Sequence, residues 1–187
     1  MTKLPLFETQ NLILREIREK DIHDMYEYAS IPCVGPSAGW EPHRTLSHTK
    51  EVIKMYNTKA RYGQLGVYAI VLKENLKMIG TVELHTYTPH FKAELGYTIN
   101  PKYWGNGYAT EAAKKIIEWG FITLGLKRIE CSSFPENERS QAVCKRLGFT
   151  FECIRKKGYY SYDGTIHDLV CYSMTDDDYL KIWVEKQ

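Results

Sequence analysis

The chain has 187 residues, of which 43% are hydrophobic, 13% aromatic and 26% charged. That balance fits one globular domain with a sizeable core and excludes a disordered or collagen-like chain. The net charge is +2; residues 1–93 carry 12 basic and 10 acidic side chains and residues 94–187 carry 13 of each, so neither half has the basic excess of a nucleic-acid binder.

The opening residues Met1-Thr2-Lys3-Leu4-Pro5 have no apolar signal region, and no apolar run approaches the ~18 residues of a membrane span. Five cysteines (Cys33, Cys131, Cys144, Cys153 and Cys171) stand far apart in odd number, which predicts free thiols in a reducing cytoplasm rather than a disulfide framework. The histidines are scattered. The pairs His43/His48 and His85/His90 are five apart, a spacing that does not put two rings on one helical face, so no metal site is expected.

In chain order, Leu12–Ile17 predicts a strand and Lys20–Ser30 a short helix. Residues 31–45, with three prolines and two glycines, read as a long loop, and Leu46–Tyr62 as a helix. The apolar run Gly66–Leu72 and the segment Met78–Leu84, joined by Lys73–Lys77, predict an antiparallel hairpin, and Ala93–Ile99 a further strand. Ala109, Ala112, Ala113, Ile116, Ile117, Gly120, Phe121 and Leu124 form an unbroken helical stripe, ended by Gly125. There follow a strand at 127–134, a helix opened by Pro135 and Asn137 and stopped by Gly148, a hairpin of 149–155 with 166–174, and a terminal helix over 176–185. With no repeat and no linker, the expectation is one α+β domain over residues 1–187, with a mixed, mainly antiparallel sheet flanked by helices.

Two segments carry chemistry. Trp104-Gly105-Asn106-Gly107-Tyr108-Ala109-Thr110 leads directly into the long helix. The first N–H groups of a helix lack internal partners and favour an anion, and glycines let a phosphate approach them, so this turn is either a phosphate cradle or a tight loop feeding a core helix. A dinucleotide fingerprint fits poorly, because Thr110 occupies the third glycine position and five residues separate Ile99 from Gly105. In the second segment, Asn137 is a suitable N-cap, and Ser140 shares a helical face with Val143, Cys144 and Leu147, so its hydroxyl needs a partner on the inward side.

The order of strand 93–99, Tyr103-Trp104-Gly105-Asn106-Gly107-Tyr108-Ala109-Thr110-Glu111-Ala112, strand 127–134, Asn137-x-x-Ser140 and Leu147-Gly148-Phe149 resembles the GNAT superfamily of acyl-CoA-dependent N-acyltransferases. Thr9-x-Asn11-Leu12-Ile13-Leu14-Arg15 and Glu94-Leu95-Gly96-Tyr97 resemble its ribosomal-protein alanine N-acetyltransferase (Rim-type) branch, and the likeness spans about residues 8–175. The resemblance implies acetyl-CoA as co-substrate without a metal. Its pyrophosphate would lie on residues 104–110, its pantetheine along strand 93–99 with Tyr97 and Ile99, and its thioester near Asn137 and Ser140. Trp104 stands where the superfamily usually has Gln or Arg, and Cys144 where many members have a thiolate-protonating tyrosine; Ser140 is then the better candidate to meet the thiolate.

An amine must be neutral to attack a thioester, so a base is required, and Glu83 and Glu94 are the strand carboxylates placed to serve. Alternation puts Glu83 with Thr81 and His85 on one face. Trp40 and His43 in the long loop and Tyr160 in the last hairpin are the candidate acceptor-site residues. The expected acceptor is a protein or peptide N-terminal α-amine, with a small amine such as a polyamine or antibiotic, or a non-catalytic acyl-CoA-binding module, as alternatives. The expected state is a cytoplasmic monomer or homodimer.

Overall fold

A computed structural model describes residues 4–59 and 64–185. Eight strands, numbered in chain order, form one sheet: β1 Phe7–Glu8, β2 Leu12–Glu16, β3 Val67–Leu72, β4 Met78–Thr88, β5 Lys92–Ile99, β6 Arg128–Ser133, β7 Thr150–Tyr160 and β8 Ile166–Thr175. Their order is β1-β2-β3-β4-β5-β6-β8-β7. Five helices flank them: α1 Ile22–Ala29, α2 Leu46–Thr58, α3 Tyr108–Glu118, α4 Glu138–Leu147 and α5 Asp176–Tyr179. This is the α+β class read from the sequence.

The chain departs from that reading at several edges. The two-residue β1 is too short to show a pattern. The predicted 20–30 helix starts with a 3-10 turn at Glu19–Asp21, and the long loop holds another at Pro36–Ala38. The second helix is described to Thr58, and its expected last turn lies partly outside the described residues. β4 and β7 run several residues further than predicted, and α3 and α5 each pass into a π-helical turn, at Trp119–Thr123 and Leu180–Val184.

Alternation divides the core. Leu12, Leu14, Tyr68, Ile70, Val82, Leu84, Ala93 and Leu95 point to the face covered by α3 and α4, where Ala112, Ala113, Ile116 and Ile117 of the predicted stripe are fully buried. The opposite face packs Val67, Ala69, Val71 and Met78 under Met25 and Tyr28 of α1 and Ile53 of α2.

Every neighbouring strand pair is antiparallel except β5 and β6. Those two are parallel and pair only from Lys92–Arg128 to Glu94–Glu130. Beyond Glu94 they separate, so from Leu95 to Ile99 the edge of β5 facing β6 carries backbone N–H and C=O groups without a strand partner.

The opening motif has a structural role. Glu111, in the first turn of α3, accepts hydrogen bonds from the Thr9 hydroxyl (2.6 Å), the Asn11 amide N–H (2.7 Å) and the Asn11 side chain (2.9 Å). Burial acts to raise its pKa, but these hydrogen bonds outweigh it and hold the carboxyl below the usual range. Arg15 makes a buried two-pronged ion pair with Asp21, at 2.7 and 2.8 Å, fixing the entry to α1.

Candidate active site

Two cavities lie at the β5–β6 gap, one mainly on each side of the sheet. The larger, about 970 Å³, is lined by Tyr97, Ile99, Trp104, Gly105, Gly107, Tyr108, Ala109, Thr110, Asn137 and Ser140, among others. Gly105 and Gly107 have φ of +83° and +81°, the left-handed region that a side chain enters at a cost. A Cβ at either would meet no protein atom within 4 Å, so the space above the turn is open. The free N–H groups at the start of α3 face the region where an anion is stabilised.

Asn106 is not a wall residue of this cleft; it braces the turn by donating to the Tyr103 and Trp104 carbonyls. Trp104 donates its indole N–H to the Ile99 carbonyl at 2.9 Å and lies under Arg139, whose guanidinium carbon is 4.2 Å from the ring centroid. Arg139 and Arg146, from the facing helix α4, thus supply the positive charge that a tryptophan at position 104 does not. Neither arginine was singled out from the sequence, because the contact joins positions 35 residues apart.

Where the cavities meet, both are lined by Tyr97, Thr98, Phe134, Asn137 and Ser140. The Asn137 side-chain Oδ1 accepts from the Ser140 N–H at 3.2 Å as the α4 cap, and its Nδ2 donates to the Ser37 carbonyl at 3.2 Å. The Tyr159 hydroxyl donates to the Gly39 carbonyl at 3.0 Å. These two bonds hold the long loop as a roof over the gap. The Tyr97 hydroxyl lies 2.9 Å from Ser140 Oγ. Cys144 lines neither cavity; it is buried behind Tyr97 with its Sγ 3.2 Å from that of Cys131.

The smaller cavity, about 400 Å³, is lined by Trp40, Tyr56, Lys59, Glu83, His85, Glu94 and Tyr159. Thr81, Glu83 and His85 share its face while Val82 and Leu84 are buried opposite. Glu83 is paired with Lys59 at 2.5 Å, a contact across 24 residues that no local pattern signals. Glu94 lies opposite His85 on the neighbouring strand, and it has no ion pair among the described residues. Ser133 also lines this cavity, and its buried hydroxyl has no hydrogen-bond partner among the described residues.

Two expected acceptor-site residues lie off these walls. Tyr160 is 74% exposed at the end of β7, and its neighbours Tyr159 and Tyr162 line the cavities instead, because alternation turns position 160 outward. His43 is buried, its Nδ1 2.9 Å from the Thr49 hydroxyl, behind Trp40. Its ring lies tilted against that of His48, centroids 4.6 Å apart, since the loop before α2 folds back on the helix, a proximity the five-residue spacing did not suggest.

Burial first, then the neighbouring His48, push the His43 pKa down to about 4. The unfolded chain therefore binds a proton near pH 6.5 that the fold resists, and stability falls as pH drops from about 6.5 towards 4. Between pH 7 and 4.5 the wild type should lose about 2 kcal/mol more than His43→Gln. Urea midpoints at the two pH values measure this, and equal losses would refute it.

The Acetyltransferase (GNAT) domain family matches residues 11–150. The chain is a member of the GNAT acetyltransferase family. It is 33% identical to the uncharacterized N-acetyltransferase YoaA of Bacillus subtilis, over 91% of this chain and 96% of YoaA. A crystal structure of a ribosomal-protein-S5-alanine acetyltransferase from Vibrio fischeri is 27% identical and superposes with a TM-score of 0.74, covering 93% of this chain and 98% of that one. A 63-residue stretch, 34% of either chain, is 38% identical to the spermidine N(1)-acetyltransferase of Escherichia coli. The family uses acetyl-CoA, and the long cleft with its open glycine turn and flanking arginines fits a phosphorylated, elongated co-substrate. No helix among the described residues of this acetyltransferase is long and apolar enough to cross a membrane, and no cluster of three or more metal-ligating side chains occurs among them.

Proposed function

We propose that this N-acetyltransferase acts by direct attack of a neutral amine on acetyl-CoA, and that its acceptor is the α-amine of a protein or peptide N-terminus. The observation that carries the reading is the junction of the two cavities at Tyr97, Asn137 and Ser140, with Glu94 on the acceptor side. Acetyl-CoA would occupy the larger cleft, with its phosphates towards residues 104–110, Arg139 and Arg146 and its pantetheine along the unpaired edge of β5.

Glu94 removes the amine proton, directly or through one water, and β5 N–H groups stabilise the charge on the thioester oxygen. The Ser140 hydroxyl meets the departing sulfur, and the Ser133 hydroxyl, buried and without a partner among the described residues, lies in the wall of the acceptor cavity. Charge count supports an α-amine over a polyamine. Lys59 already neutralises Glu83, which leaves Glu94 as one unpaired carboxylate for one cationic head. An α-amine, with pKa ~8, is also easier to neutralise near pH 7 than a lysine-type alkyl amine near ~10.4.

A thiol-release assay at pH 7.5 with an alanine-starting peptide, the same peptide N-terminally blocked but containing lysine, and spermidine tests the acceptor. The free α-amine should show kcat/KM about tenfold or more above the others, in line with its larger neutral fraction. Faster turnover of spermidine would overturn the acceptor assignment.

A further inference from the structure

The acid position on α4 is filled by Cys144, whose thiol is packed against Cys131 beneath Tyr97 and lines neither cavity. Ser140 lies one helical turn earlier and does line both cavities. A serine hydroxyl in the first turn of a helix has a competing partner, a backbone carbonyl three or four residues earlier, here at or before the Asn137 cap, and unassisted it turns there. What opposes that here comes from a different element. Tyr97, on β5, reaches across the gap and places its hydroxyl 2.9 Å from Ser140 Oγ and 3.2 Å from the Ser140 carbonyl oxygen.

Tyr97 has one hydroxyl proton. If it goes to the Ser140 carbonyl, the serine proton is taken up by the tyrosine oxygen and none points into the cleft. If it goes to Oγ, the serine proton is directed outward, to where the thioester sulfur would lie. An anionic sulfur selects the second arrangement.

We infer that Tyr97 is a positioning residue for acetyl transfer: by donating to Ser140 Oγ it aims the serine hydroxyl at the thiolate of the leaving coenzyme. The inference rests on the proposed placement of Ser140 at the sulfur. Tyr97 holds its proton throughout. Burial, with Cys131 and Cys144 beside it, pushes its phenol well above an ordinary tyrosine and so above a thiol. As the C–S bond breaks, the electron pair leaves on sulfur, where the Ser140 hydrogen bond stabilises it, and the amine proton goes to Glu94. The two-residue unit of Tyr97 and Ser140 then takes the place of a single tyrosine on α4.

The first arm of the test needs no knowledge of the acceptor. Coenzyme A is bound to the wild type, Tyr97→Phe, Ser140→Ala and the double variant, and its thiol is titrated by the ultraviolet absorbance of the thiolate. The wild type should hold about a tenfold larger thiolate-to-thiol ratio at fixed pH than Tyr97→Phe, the size of one charge-assisted hydrogen bond. Ser140→Ala should lose the same amount and the double variant no more, because the two act as one unit. With the alanine-starting peptide, Tyr97→Phe should lower kcat about tenfold and leave KM for acetyl-CoA within about twofold, a split that general loosening of the fold would not give.

A wild-type titration in Tyr97→Phe, or losses that multiply in the double variant, would overturn the inference. A wild-type titration in Ser140→Ala would overturn the placement of Ser140 itself, and with it the inference. Should Tyr97→Phe fail to fold, Ser140→Thr gives a second reading: it keeps a hydroxyl for Tyr97 to orient and should keep the larger thiolate ratio that Ser140→Ala loses, whereas a ratio as low as that of Ser140→Ala would overturn the inference.

Discussion

Glu94→Gln should lower kcat/KM for the amine by about two to three orders of magnitude near pH 7, the usual contribution of a positioned general base, while acetyl-CoA affinity stays within about twofold. The two candidate carboxylates differ in what surrounds them. Glu83 is held by the Lys59 ammonium at 2.5 Å, so its carboxylate already has a partner in the chamber. Glu94 stands in the last β5–β6 register pair before the strands separate, with no ion pair among the described residues, where an amine in the smaller cavity would approach the gap. Glu83→Gln should instead leave the Lys59 charge uncompensated in the chamber and raise KM for a cationic acceptor through like-charge repulsion, with little change in kcat. Steady-state kinetics of both variants from pH 7 to 9 separates the roles. The Glu94→Gln deficit should narrow as the amine approaches its own pKa of ~8 and needs no base. A deficit of the same size at every pH would sink the assignment of Glu94 as base, as would full activity.

How far the sequence carried this reading depended on the range of each interaction. The α3 stripe was legible because four turns of core packing repeat one rule, and Ala112, Ala113, Ile116 and Ile117 are buried as that rule requires. The glycine turn was legible because positive φ restricts the residue type locally, at Gly105 and Gly107. The face shared by Thr81, Glu83 and His85 followed from alternation alone. What alternation does not reveal is which groups another element brings near. Lys59 reaches Glu83 from the end of α2, Arg139 reaches Trp104 from α4, and Tyr97 reaches Ser140 across 43 positions. His43 lies off the cavity walls because the loop before α2 folds back on that helix, and Tyr160 because alternation turns it outward. Loop residues 31–45 are set partly by bonds from other elements, from Asn137 to Ser37, from Tyr159 to Gly39 and from the His43 N–H to the Ala29 carbonyl, and no local pattern shows which side chains those bonds turn inward. β7 exceeded its predicted length because most of its residues are exposed on both faces and present no buried alternation to read.

Gly107→Val should weaken acetyl-CoA binding about a hundredfold and cost the fold only about 1–2 kcal/mol, the penalty of a side chain in left-handed backbone. The two effects come apart because of where the side chain would go. A Cβ at Gly107 meets no protein atom within 4 Å, so the fold has nothing to displace. The new side chain would instead stand over the first N–H groups of α3, where the phosphates of the coenzyme would approach. Strain would also move those N–H groups, since Gly107 is the residue from which the helix starts and its carbonyl accepts from the Glu111 N–H at 3.0 Å. Arg146→Ala, which removes one flanking charge near Thr110 and leaves the backbone intact, should weaken binding by about fivefold to tenfold, the value of one exposed charged contact. Calorimetry with acetyl-CoA and coenzyme A, beside NADH and ATP, decides the matter in one series. Binding of the first two in the wild type and its loss in Gly107→Val, with the melting transition retained, assigns the turn to the coenzyme phosphates. Unchanged affinity in Gly107→Val would move the phosphates elsewhere along the cleft and leave residues 104–110 as a tight connection into a core helix.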